Sequence, residues 1–124
     1  SHLNKFSTCR PVAMITDLNY LKTTSGGDPE FIREMIDLFR EQVEEYRVTM
    51  PDLLRKKDYE NLSKTAHKAK STVAVMGMQE VADLLKELEV LAQEKKEEER
   101  YEEMINCFLE QSRLALAELE NTDL

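Results

Sequence analysis

Residues 59–78 read YENLSKTAHKAKSTVAVMGM. Leu62, Ala66, Ala69, Val73 and Met76 recur at spacings of four and three, which lines them up along one side of a helix with 3.6 residues per turn. The positions between them are polar or small. Gly77 then supplies a residue that takes the left-handed conformation at little cost and so closes a helix. The stretch predicts an amphipathic helix over residues 59–76 with one face in a core.

The same spacing continues on both sides. Upstream, Asp28 and Pro29 are an N-cap and a first-turn residue, and Ile32, Ile36, Phe39, Val43, Tyr46 and Met50 follow as one apolar stripe. Pro51 is predicted to kink or briefly break that helix. Leu53 and Leu54 continue its apolar face, and Lys56-Lys57-Asp58 form a turn in which Asp58 caps the next helix. Downstream, Val81, Leu84, Leu85, Leu88 and Leu91 make a buried side. EKKEEER, residues 94–100, is a solvated helix end or connection, and a last helix carries Tyr101, Met104, Ile105, Phe108, Leu109 and Leu116. At the start, Thr16-Asp17 caps a short helix bearing Leu18 and Leu21, followed by the flexible SGGD at 25–28. There is no internal repeat.

Substantial helices joined by short connections predict an all-α fold, an antiparallel four-helix bundle with a short additional N-terminal helix packed across one end. Pro51, Gly77 and the double glycine interrupt the sustained heptads that a long coiled coil requires. The 124 residues are expected to form a single domain, 1–124, with 1–15 as a flexible or vector-derived start, Ser1-His2 as a cloning remnant, and 121–124 as a frayed end.

Composition narrows the function. A hydrophobic content of 41% suffices for a core. The formal charge of -8 argues against nucleic acid, because a binder needs a broad basic face to displace counterions from phosphates. No apolar run is long enough to span a membrane, and the start SHLNKFSTCR is no signal peptide; both point to the cytoplasm. Cys9 and Cys107 fall in no spaced motif and are expected to be reduced thiols.

The one basic patch of this acidic chain surrounds His67. The residue follows the inner position Ala66, so it points away from the centre of the buried stripe. Its own face carries Lys64, Lys70, Ser71 and Ala74. It lies ten residues before Gly77, about 15 Å from the helix end. The default for such a histidine is an idle surface residue. A metal role is disfavoured, since a Glu-x-x-His pair is missing and nearby ammonium groups repel a cation. No carboxylate at three or four residues' distance orients the ring for hydrolysis. Anion chemistry remains: Lys64, Lys68 and Lys70 favour a phosphoryl group arriving at the imidazole.

AHKAKSTVAVMGM, residues 66–78, resembles the signature of histidine-containing phosphotransfer (HPt) domains, with His67, Ala69, Lys70, Ser71, Thr72 and Gly77 in the matching places. DLNYLKTTSGGDPEFIREMIDLF, residues 17–39, is similar to the family's N-terminal segment. Two positions depart from the pattern: Ser71 stands where the family usually has glycine, and Ala69 where it usually has leucine. Serine is still small enough to leave a partner room, and Ala69 implies local repacking.

The resemblance implies a phosphorelay intermediate. His67 would accept a phosphoryl group from the aspartate of a response-regulator receiver domain and pass it to another receiver, or work with a hybrid sensor histidine kinase. The protein would have no kinase activity and no cofactor of its own, the Mg²⁺ being expected on the receiver, and would act as a monomer. Lys70 matches the family lysine that steadies the phosphoryl charge; Lys68, Lys64 and Ser71 are its neighbours. Phe31 and Met35 match family positions that meet the receiver, and Leu38 extends them; the plain alternative, strongest for Leu38, is that these three are core. A non-catalytic adaptor that binds receiver or kinase domains is the alternative function, to be separated by phosphorylation itself. The dimerisation region of a histidine kinase is a further one. Its usual acidic residue after the histidine is replaced by Lys68, and no proline follows Pro51.

Overall fold

The computed structural model describes residues 16–122; the expected start, 1–15, and the last two residues of the expected frayed end lie outside them. Among the described residues every regular element is helical. They are α1 (Asn19–Ser25), α2 (Pro29–Arg55), α3 (Tyr59–Val75), α4 (Gln79–Glu94), a 3-10 turn (Glu98–Arg100) and α5 (Tyr101–Glu120). The four long helices adjoin in a ring, α2 on α3, α3 on α4, α4 on α5 and α5 on α2, with α3 and α4 in the most extensive contact. Short α1 packs on α2.

The apolar stripes become the core. Ile32, Ile36, Phe39, Val43, Tyr46 and Met50 of α2 are buried, as are Leu62, Ala66, Ala69 and Val73 of α3. Val81, Leu85, Leu88 and Leu91 of α4 and Tyr101, Met104, Ile105 and Phe108 of α5 complete it. Leu84, Leu109 and Leu116 pack against this core half-buried.

The caps fall where their chemistry requires. Asp28 Oδ1 accepts from the Glu30 N–H at 3.0 Å. Asp58 accepts from the Asn61 side chain at 2.8 Å and from its N–H at 3.2 Å; these bonds, the side-chain one foremost, hold its carboxyl below the usual range. At α1 the N-cap residue is Leu18, which offers no side-chain cap, and the preceding Asp17 Oδ1 takes the Asn19 N–H at 3.0 Å. Thr16 is used elsewhere: its N–H reaches Glu118 Oε1 at 2.9 Å. At the other end, Asn121 Nδ2 donates to the Ala117 carbonyl at 3.1 Å and the Thr122 hydroxyl to that of Glu118 at 2.9 Å.

Two expectations are corrected. Pro51 does not break its helix, for α2 runs on to Arg55. Fully buried Met50 and half-buried Leu53 and Leu54 fasten the last turns to the core, and the tertiary contacts outweigh the missing N–H. Cys107 is not a reduced thiol but disulfide-bonded; the chain's other cysteine, Cys9, lies outside the described residues.

Gly77 does more than end α3. Its φ is +74°, and a Cβ there would sit 2.7 Å from the Asp17 nitrogen and closer still to the Asp17 carbonyl oxygen. The Asp17 N–H also bonds the Met76 carbonyl at 2.9 Å. Gly77→Ala must therefore both adopt a disfavoured backbone and push away the segment entering α1. A cost of about 2 kcal/mol, or roughly 8 °C in Tm, is expected. An unchanged melting curve by circular dichroism would show that the contact yields freely.

Candidate functional site

His67 sits in the middle of α3 on its solvent side, with 61% of its side chain exposed. The α3 residues Ser63, Ala66 and Ala69 that face the neighbouring helices are small and buried, as are Ala82 and Ala92 of α4. Small residues let two backbones approach closely, and α4 is thereby brought near enough for its glutamate to reach across. Glu89 Oε2 lies 3.0 Å from His67 Nδ1, and Glu89 Oε1 lies 3.5 Å from Lys70 Nζ. The Glu89 carbonyl in turn accepts the buried Ser63 hydroxyl at 2.8 Å. The carboxylate is held between imidazole and ammonium, and only 22% exposed.

Within α3 the expectation holds, since no carboxylate stands three or four residues from His67; the one that meets the ring comes from α4. Helical offsets within one segment could not show it, because Glu89 is 22 residues away on another helix. An ionised carboxylate only accepts, so in a neutral imidazole this contact favours the proton on Nδ1 and leaves the lone pair on Nε2 of a ring whose side chain is largely exposed. That is the arrangement of a nucleophile with an orienting, charge-balancing partner behind it.

The other basic residues differ in availability. Lys70, half-buried at 28%, is engaged by Glu89. Lys64 pairs with Glu60 at 3.5 Å. Lys68 and Ser71 are exposed, as is Ala74, and Val75 is half-buried. Thr72 points the other way, its hydroxyl donating to Gln42 Oε1 of α2 at 3.0 Å and lying 3.3 Å from the Tyr46 hydroxyl.

That contact locates the remaining sequence candidates. Phe31, Met35, Leu38 and Gln42 fall at spacings of four, three and four, so they share the edge of α2 that borders α3. Phe31 and Met35 are half-buried against the core. Leu38, expected to be the most core-like of the three, is the most open, 43% exposed. On α3, the small or apolar Ser71, Ala74 and Val75 follow His67 over the next two turns, with Ser71 and Ala74 exposed and Val75 half-buried. None of the helices among the described residues is long and apolar enough to cross a membrane.

Comparison with known proteins adds one finding. Residues 34–122 match the family model of the Hpt domain. No curated protein and no solved structure matches the chain.

Proposed function

The chain belongs to the Hpt domain family, the phosphocarriers of histidine phosphotransfer in two-component systems, and from that premise we propose that His67 is its phosphoacceptor. The observation that carries the reading is an exposed imidazole whose Nδ1 lies 3.0 Å from Glu89. In this reading the four long helices run antiparallel, as their tight connections and ring of contacts favour, and the unit acts as a monomer.

The proposed step uses the groups around His67. A receiver domain presents an aspartyl phosphate, with Mg²⁺ held on the receiver. The Nε2 lone pair attacks phosphorus, the bond from phosphorus to the aspartate oxygen breaks, and the aspartate leaves as carboxylate. No proton has to leave Nε2. The ring becomes cationic, and Glu89 balances the new charge across its Nδ1–H bond. Lys70, one turn along α3, is placed to swing from Glu89 to the phosphoryl oxygens. Lys68 and Lys64 add positive potential, and Ser71 keeps the approach open. Phosphoryl transfer depends on such positioning and electrostatics more than on covalent chemistry by the protein. Transfer to a second receiver is the same step in reverse.

The test is to incubate the protein with receiver domains phosphorylated on aspartate, Mg²⁺ present, and to locate label by mass spectrometry at neutral to alkaline pH. Acid-labile label on His67 is expected. Binding to a receiver without any label would replace this reading by the non-catalytic adaptor.

The receiver is proposed to dock over Phe31, Met35 and Leu38. Truncating any of them to alanine is expected to weaken receiver binding about tenfold, in the range of an interface anchor. Leu38→Ala is the cleanest case, since an exposed side chain contributes little to the core and Tm should stay within a few degrees. A collapse in melting temperature with unchanged affinity would make these core residues instead.

A further inference from the structure

The two flanks of His67 differ in chemistry. Toward α2 the surface is small and apolar. Toward α4 lies an open cleft of about 780 Å³, lined among others by Ser63, Lys64, His67, Lys68, Gln93 and Lys95. Its two carboxylates are already engaged, Glu60 by Lys64 and Glu89 by His67 and Lys70. Lys68 and Lys95 make no ion pair among the described residues. On a chain of formal charge -8, the cleft offers uncommitted cations directly beside the nucleophile.

Lys95 has a second peculiarity. It closes α4 in the left-handed conformation, φ 57° and ψ 41°, where glycine is the residue of least strain. Lys57 shares this conformation at the end of α2, and a cation at a helix C-terminus gains from the helix dipole, so backbone geometry alone assigns no role. What sets Lys95 apart is that its side chain lines the cleft that holds His67.

We propose that this α3–α4 cleft is an electrostatic docking flank for the receiver, in which Lys95 and Lys68 meet carboxylates at the rim of the receiver's metal site. The proposal rests on the phosphotransfer reading. Its occupant follows from charge: a Mg²⁺ beside an aspartyl phosphate is held by one or two carboxylates besides the phosphate oxygens, so the face a receiver must bring to His67 is acidic. An acidic partner approaching an acidic protein is steered by whatever local cations the target leaves free. The apolar flank then supplies buried contact, and the basic flank supplies encounter rate and orientation.

Lys95→Gly separates this role from a structural one. Loss of the dipole contact and relief of the left-handed strain oppose each other, so Tm is expected to move by no more than about 3 °C. Transfer of label from a phosphorylated receiver with Mg²⁺ at low ionic strength is expected to slow about fivefold, with the same final extent on His67. In roughly 0.5 M salt, where screening is nearly complete over a few ångströms, wild type and variant should converge. Lys95→Gln, which keeps a polar side chain but removes the charge, should slow transfer as Lys95→Gly does. Equal rates at low salt would overturn the proposal, and so would a slowing that persists unchanged at high salt. Failure of the wild type itself to take label from any receiver is a different result, and it removes the phosphotransfer reading on which the proposal stands.

Discussion

His67→Gln is expected to keep its fold and to take no phosphoryl label from any receiver that labels the wild type. The side chain is 61% exposed and makes no core contact, so the substitution should fall within the ±0.5 kcal/mol or so typical of surface changes. The glutamine amide can still donate a hydrogen bond to Glu89, which preserves the local arrangement. It cannot replace the imidazole as nucleophile, because its nitrogen lone pair is delocalised into the carbonyl. The loss should therefore be complete rather than graded, and it should appear with receiver binding intact. Measured by mass spectrometry at neutral to alkaline pH, label retained on His67→Gln would place the phosphoacceptor elsewhere. The chain's other histidine, His2, would be the first position to inspect.

Glu89→Ala carries the next largest effect. Carboxylates that orient a functional histidine through its second nitrogen are worth about 10- to 100-fold in comparable settings, and a slowing of that order in label acquisition is expected. Two contributions combine. Without the acceptor 3.0 Å from Nδ1, the ring samples both tautomers and both orientations, and only some present a lone pair outward. The positive charge formed on the ring during transfer also loses its counter-charge. Glu89→Gln separates them, since an amide oxygen can still accept from Nδ1–H but bears no charge; its rate should fall between wild type and Glu89→Ala. Nitrogen-15 shifts of the His67 ring provide a direct readout, with the Nδ1-protonated form losing population in Glu89→Ala. A wild-type rate in Glu89→Ala would reduce the Glu89 contact to an incidental surface pair.

Much of this molecule was legible before its coordinates. The stripes at four and three spacing named every buried residue of α2 and most of those of α3 and α4, because a helix of fixed pitch converts sequence spacing into direction; on α5 they missed Cys107, Gln111, Ser112, Ala115 and Leu119, small or polar residues and a final leucine that carry a weaker apolar signal. Asp28, Asp58 and Gly77 marked helix ends, because capping and left-handed closure are local chemistry. His67 stood out as an exposed cation-flanked residue for the same local reason. What escaped was contact between segments. Glu89 reaches His67 only because small side chains let α3 and α4 approach, a distance that no spacing within either helix reports. Lys95 lines the His67 cleft through the same juxtaposition. Pro51 does not break α2, which runs on to Arg55: the local rule was right about the missing N–H, and packing of Met50 outweighed the break. Leu38 lay one step from the core stripe, too close for periodicity to decide between buried and open.

His67 and Glu89 are close along the chain as well as in space. His67 and Glu89 are 22 residues apart, whereas Thr16 and Glu118, whose contact ties the segment before α1 to the end of α5, are separated by 102. Closing the longer loop costs about 1.4 kcal/mol more chain entropy than closing the shorter one. The His67–Glu89 contact thus belongs to two consecutive helices joined by a short connection and is the cheaper of the two to close, while the strap from the N-terminal side is the costlier closure. Local opening at the ends of the molecule can then come and go without unmaking the geometry around the imidazole.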